Sequence, residues 1–402
     1  MVSAFFMNNS GWLIGFGEWG ILCSMQTMKN IHPLLSRESQ KKAKQYEKEK
    51  RFLGLASLAA SLVFLLLFYF SGASSYLANL ELGSSFIWTF LVYVAALSLS
   101  IAIFGFPLAF YSGFVHEHKW NFSNQRMKSW MWEQIKSFLV GLTIFILLLG
   151  LLLWIMAAAP DRWWLFAASA MALVSVIFAA LFPVIIAPIF NKYTPIDNKE
   201  LTKALEKVLS REGLKSSGFF QEDMSRQTKK ENAFLAGLGR TRRVVLGDNL
   251  LLHMTVPQIE SIIAHEVGHY RYRHLGKNIL IGTTQQVVVF LILHVSLKAL
   301  FPEFLTSSRW NLALVPIVAI LLGVVSGILF GPLNNALSRS FEKQADQYAL
   351  ESIDDKRSFM TALAGLADRN LSNAYPEWWV KYLYYSHPPI GERLEMAEKF
   401  HP

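Results

Sequence analysis

The sequence predicts a mainly α-helical, polytopic membrane protein with a small polar domain. Two compositional observations and one of patterning carry this. Of 402 residues, 53% are hydrophobic and only 17% are charged, outside the usual range of a soluble domain. Six windows are each apolar over the roughly 20 residues a spanning helix needs: about 52 to 72, 86 to 111, 137 to 158, 164 to 189, 279 to 300 and 311 to 332. A seventh stretch, Gly11 to Met25, is shorter and holds Glu18. It reads as a span, a re-entrant segment or an interfacial helix.

The charge supports the same reading. A net charge of +9 could suggest nucleic acid, but the basic residues flank apolar runs and no groove-reading motif accompanies them, so no nucleic-acid partner is expected. Lys41, Lys42, Lys44, Lys48, Lys50 and Arg51 precede the first window, and Lys119, Arg126 and Lys128 follow the second. The alternating loops offer only Arg162 and Arg309. By the excess of positive charge on cytoplasmic loops, the basic loops and the polar segment from 190 to 277 are cytoplasmic. Localisation is therefore a multi-pass membrane, bacterial inner membrane or endoplasmic reticulum. The start of the chain lacks the pattern of a secretory signal, and residue 1 onward is read as mature protein. The single cysteine, Cys23, excludes an internal disulfide and a thiolate-rich metal site.

Two regions follow from this: an amino-terminal membrane region, 1–189, and a second, 190–402, interrupted by a pair of spans at about 279–332. The second opens with a helical pattern, Lys199 to Glu212, and two short strand-like runs, Phe219 to Glu222 and Arg243 to Gly247. Helix-forming stretches recur at Ser338 to Ser352 and Lys356 to Arg369.

The chemistry lies in His265-Glu266-Val267-Gly268-His269. Residues four apart share a helix face, so both imidazoles reach one ion while Glu266 stands beside it as a general base. Thr255 with Gln258 forms a capping box, Pro257 sits in the first turn, and Ile259, Ile262 and Ile263 supply an apolar face. A catalytic zinc takes three protein ligands and a water. A histidine ten residues after the first would serve in one extended form of the motif, but Leu275 stands there, and His274, one residue out of register, is rejected. Glu342 is the third ligand, with Asp346 four residues on bonding a ligand histidine from behind. Two spans separate the motifs, an even number, which returns the chain to the same membrane face. The competing reading of Glu342 and Asp346 is a solvated face beside Arg339 and Lys343; that of the histidine pair is packed side chains on an amphipathic helix. His116 and His118 are read as polar loop residues. Gln285, Gln286 and His294 lie in a span and must face protein or a wet cavity.

These residues resemble the sterile-24-type, or type I, CAAX prenyl protease family of membrane zinc metallopeptidases. Beyond the HEVGH run, the likeness covers Phe104-Gly105-Phe106-Pro107 through Phe122, the run from Pro183 to Pro195, Asn232-Ala233-Phe234, Arg243-Val244-Val245-Leu246, the Glu342 to Asp346 motif and Ser386-His387-Pro388-Pro389-Ile390-Gly391-Glu392-Arg393. The resemblance implies seven spans around a chamber, closed at one end by a gluzincin-like zinc metalloprotease domain. It further implies one Zn2+ per chain and a polypeptide substrate, prenylated or membrane-associated, lying along an edge strand at Asn232, Ala233 and Phe234. On the resemblance alone, His387 and Arg393 are oxyanion donors. Gln227 to Glu231 departs from the family by being more charged. The alternatives are an HtpX-type quality-control protease, a shorter family without this amino-terminal half, and a non-catalytic metal-binding scaffold or transporter.

The topology has a direct test. Cysteine-labelling probes at residues 30 to 50 and 113 to 135 are expected to react from the cytoplasmic side only; labelling from the opposite side overturns the orientation.

Overall fold

The computed structural model describes residues 31–401 except 238 and 302. The stretch from Gly11 to Met25 lies outside the described residues. Among the described residues, six helices are long and apolar enough to cross a membrane: α1 (Arg37–Phe70), α2 (Phe86–Lys119), α3 (Met127–Ala158), α4 (Trp163–Phe190), and two further on, introduced below. Each covers most of one predicted window and extends beyond it at one end or both, although α1 stops at Phe70, short of 72, and the last span begins at Val315 rather than at about 311. The overshoot corrects one reading: His116 and His118 form the last helical turn of α2 rather than a loop.

Burial in this bundle is uneven. The most apolar windows bury at most 28% of their residues, so the spans do not form a tightly packed bundle along their length. One end is an exception, where Tyr93, Leu97, Leu153, Trp163, Leu297 and Leu312 form a common core. There the indole of Trp163 donates to His294 Nδ1 at 2.8 Å, which satisfies a buried imidazole the sequence had left without a role.

After α4 the chain forms the small polar domain. Strand β1 (Tyr193–Pro195) leads to α5 (Lys199–Ser210), then β2 (Phe219–Glu222), β3 (Ala233–Ala236) and β4 (Arg243–Gly247). The sheet order is β1-β2-β4-β3, with β2 and β4 parallel and both outer strands antiparallel to their neighbours. β3 is therefore an edge strand. Helix α6 (Val256–Arg271) carries the HEVGH run. Its start is fixed as expected, with Thr255 N–H donating to Gln258 Oε1 at 2.9 Å. Ile259, Ile263 and Val267 face a core shared with Leu201 and Leu205 of α5 and with Leu246, leaving the histidines on the other side.

The chain then leaves for the membrane through α7 (His274–Leu300) and returns on α8 (Val315–Ser352). The sequence suggests a span to about residue 332 and a separate helix from Ser338. The structure joins them into one rod of 38 residues, with a π-type turn at Ser326–Phe330. Gly331 and Pro332 begin the polar half without breaking it, since a proline in the first turn after a π-type turn removes no needed donor. Midway, Gln285 of α7 and Asn334 of α8 exchange amide hydrogen bonds of 2.8 and 3.1 Å. Helices α9 (Lys356–Arg369), α10 (Trp378–Tyr384) and α11 (Ile390–Lys399) complete the chain.

The packing of α6 on α8 admits no side chain at one point. A Cβ at Gly268 would lie 2.9 Å from Ala345 Cα and 3.0 Å from its carbonyl oxygen. On an exposed helix, alanine in place of glycine is stabilising by up to ~1 kcal/mol. Here the sign reverses, because the backbones must separate. Gly268→Ala is expected to lose about 1–3 kcal/mol, read as a lower unfolding midpoint in detergent; an unchanged or raised midpoint contradicts the close approach.

Candidate metal and catalytic site

The meeting of α6 and α8 places His265 and His269 opposite Glu342. His265 Nε2 lies 3.2 Å from His269 Nε2 and 3.2 Å from Glu342 Oε2, and His269 Nε2 lies 3.4 Å from Glu342 Oε1. No other group of three His, Cys, Asp or Glu donors able to share an ion was found among the described residues. Four ligands at zinc distances of about 2.0–2.1 Å in a tetrahedron stand roughly 3.3 Å apart, so these separations fit such an ion. Glu342 Oε2 is buried and accepts no hydrogen bond among the described residues, an arrangement that is costly without a cation. Burial works against charge on His265, but Asp346 and Glu342 outweigh it and raise the imidazole to about 10. The local field thus favours a cation, whether a proton or a metal ion.

Behind the donors stands a second layer. Asp346 Oδ1 is 2.8 Å from His265 Nδ1, and Arg393 of α11 reaches the same carboxylate through Nε at 2.7 Å and Nη2 at 2.5 Å. The bidentate geometry fixes the carboxylate in orientation as well as charge. Burial opposes charge on Arg393, and Asp346 more than offsets it, raising the guanidinium above its usual value. Arg393 therefore has two of its nitrogens committed to Asp346, which differs from the expectation of a free oxyanion donor. His387 remains available: it is exposed, with Nε2 3.2 Å from Glu342 Oε1. Glu266, half-buried on α6, follows His265 directly.

The segment bearing His387 is held by α8 as well. Arg339 Nη1 donates to the carbonyls of Lys381 and Tyr385 at 3.1 and 2.6 Å, and Asn335 Nδ2 to that of Leu383 at 2.6 Å. Asn335, Arg339, Glu342 and Asp346 are spaced 4-3-4, one stripe of a helix, so a single face of α8 organises the site. From the sequence, Arg339 figures only in the competing reading of a solvated face, whereas its spacing from Glu342 signalled the stripe. Gly391 lets α11 approach: a Cβ there would fall 2.3 Å from the ring of Tyr375.

Asn232 precedes β3, and its carbonyl accepts from Gly247 N–H at 2.9 Å; Ala233 and Phe234 pair with Leu246 and Val245 of β4. β3 packs beside α6. The charged run before it docks on the membrane region. Ser123 and Thr228 form a β-bridge, Lys229 N–H donates to the Phe122 carbonyl at 2.9 Å, and Lys230 Nζ donates to Tyr46 at 2.7 Å and Glu117 at 2.8 Å. The charged run is thus a tie between the two regions. His116, paired with Glu49 at 3.2 Å, joins α2 to α1 and is not part of the metal cluster.

Comparisons with known proteins agree with this architecture. A family model described as CAAX prenyl protease N-terminal, five membrane helices, matches residues 22–192, and one described as peptidase family M48 matches residues 195–401. An uncharacterized metalloprotease of Bacillus subtilis, YhfN, is 29% identical over 363 residues, 89% of this chain and 85% of its own. CAAX prenyl protease 1 of Saccharomyces cerevisiae is 29% identical over 322 residues, 76% of this chain and 71% of its own. The crystal structure of S. mikatae Ste24p superposes with a TM-score of 0.79 at 25% identity, covering 92% of this chain and 91% of that one.

Proposed function

The chain belongs to peptidase family M48 as a multi-pass, Ste24-type membrane metalloprotease acting on peptides, and we propose that its metal is one zinc ion held by His265, His269 and Glu342. The observation that carries this is the 3.2 to 3.4 Å spacing of the three donor groups. Two imidazoles and a carboxylate form a donor set typical of catalytic zinc, with a fourth position left for water.

Zinc, when bound, polarises the scissile carbonyl and lowers the pKa of a coordinated water to about 7. The residues of the chain do the rest. Glu266 accepts the attacking water's proton and returns it to the leaving amine. His387, on the open side of Glu342, donates a hydrogen bond to the carbonyl oxygen as negative charge develops there. Asp346 orients His265, and Arg393 holds Asp346; Arg393 acts as a positioning residue in this scheme. The substrate backbone adds to the free edge of β3 at Asn232, Ala233 and Phe234, a pairing that reads main chain rather than side chains.

The residues 1–189 act as the membrane region and 190–402 as the protease domain, with the metal on the cytoplasmic side as the basic loops imply. Substrates are then polypeptides presented at that face. By likeness to CAAX prenyl protease 1, a carboxyl-terminal peptide carrying a prenyl group is the substrate class.

Two expected outcomes separate ligand from base. Glu266→Gln keeps one zinc per chain and loses proteolysis by about 10²–10⁴-fold, whereas Glu342→Ala loses the zinc, measured by elemental analysis of purified protein. Stoichiometric zinc in Glu342→Ala removes that residue from the ligand set. In liposomes, a farnesylated CAAX peptide is expected to be cut faster than its unprenylated control, with cutting abolished by chelator; equal rates reject lipid recognition while leaving the protease intact.

A further inference from the structure

His269 presents Nε2 to the metal donors, and its other ring nitrogen faces away from them. That nitrogen, Nδ1, lies 2.9 Å from Nδ1 of His274. Two imidazole nitrogens at this distance share one hydrogen, so one donates and the other accepts. If His269 offers the Nε2 lone pair to an ion, its proton must sit on Nδ1, which makes His274 Nδ1 the acceptor. The proton of His274 then lies on Nε2, and Gln344 Oε1 stands 3.0 Å from it, ready to accept. Every hydrogen in the chain of contacts has a place, and only this tautomer pair leaves His269 Nε2 free.

The ring of His274 is held for the task. It is 2% exposed and stacks on Phe341 at 4.4 Å between centroids with planes 14° apart, and on Tyr272 at 5.8 Å and 21°. The chain reaches this position through Arg273, whose φ of 55° is left-handed. That turn ends α6 and swings His274 back toward His269, a placement that helical spacing from His265 does not give. Gln344 lies two residues from Glu342 on α8, so the arrangement also links both helices that carry the metal donors.

We infer that His274 is the outer partner of His269, fixing its tautomer and ring plane for metal binding through the His269 Nδ1–His274 Nδ1 and His274 Nε2–Gln344 Oε1 contacts. It matches on one ligand what Asp346 does for His265. The two supports differ in kind: a carboxylate behind His265 and a neutral imidazole behind His269. Outer partners of metal-bound histidines set affinity by about 10–100-fold.

This inference rests on the zinc reading above, and its test measures zinc directly. Competition against a chromophoric chelator on the full chain in nanodiscs gives the zinc dissociation constant for wild type and three variants. His274→Phe keeps the stacking and removes the acceptor, and is expected to weaken zinc by about 10–100-fold. His274→Asn places an amide oxygen near the former Nδ1 and is expected to restore affinity to within about threefold of wild type; Gln344→Leu, which frees the His274 tautomer, is expected to fall between about 3-fold and 10-fold weaker. If His274→Phe does not fold, Gln344→Leu and His274→Asn decide the matter between them. Wild-type affinity in His274→Phe or in Gln344→Leu, or no rescue in His274→Asn, overturns the role of His274 alone. Absence of zinc from the wild-type protein instead overturns the metal reading on which it stands.

Discussion

The contact between Gly268 and Ala345 is the constraint on which the site depends. Helix α6 brings two imidazoles and α8 brings two carboxylates, and neither set can share an ion unless the helix backbones nearly touch. A glycine facing an alanine permits that approach, with Ala345 completely buried. Because Gly268 lies between the two histidines of the motif, and Ala345 between Glu342 and Asp346, the closest point of the packing coincides with the chemistry. The interior is packed densely enough that a displacement there is not absorbed locally.

That contact also brings charge into a buried place. Glu342 and Asp346 are 5% and 0% exposed, and burying carboxylates is costly unless each is matched. Asp346 is matched by Arg393, which arrives from the far end of the chain on α11. Glu342 is bordered by His265, His269 and His387, whose combined need for a cation is what makes the position suited to a metal. Removing any member leaves a buried charge without its partner, which couples the carboxyl-terminal HPP segment to the site even though Arg393 touches no donor of the metal group.

The spans and the HEVGH helix were legible because hydropathy and a 3.6-residue period are local properties. The strands at Phe219 to Glu222 and Arg243 to Gly247 coincide with those expected from the sequence. Three features were not legible. The union of the last span with the Glu342 helix was hidden by Gly331-Pro332, which reads as a break unless the π-type turn before it is known. The placement of His274 depends on one left-handed residue, Arg273, and arginine gives no sign of that conformation. The partner of Arg393 is 47 residues away, and no spacing rule relates α11 to α8. Arg339 was the feature within reach, since its interval to Glu342 places both on one face.

The continuity of α8 ties the chemistry to the thickness of the bilayer. At 1.5 Å per residue, the 38 residues of α8 extend about 57 Å, roughly twice the hydrocarbon depth of a membrane. Glu342 sits on the polar half of a rod whose other half is apolar enough to span a membrane, and only Tyr272 and Arg273 separate the end of α6 from the start of α7. Both helices bearing the proposed metal donors thus connect directly to spans whose tilt answers to hydrophobic mismatch. On the proposed zinc reading, a bilayer too thin or too thick for these spans would tilt the rod that carries Glu342 relative to His265 and His269, so membrane thickness would bear on the site without any lipid binding near it.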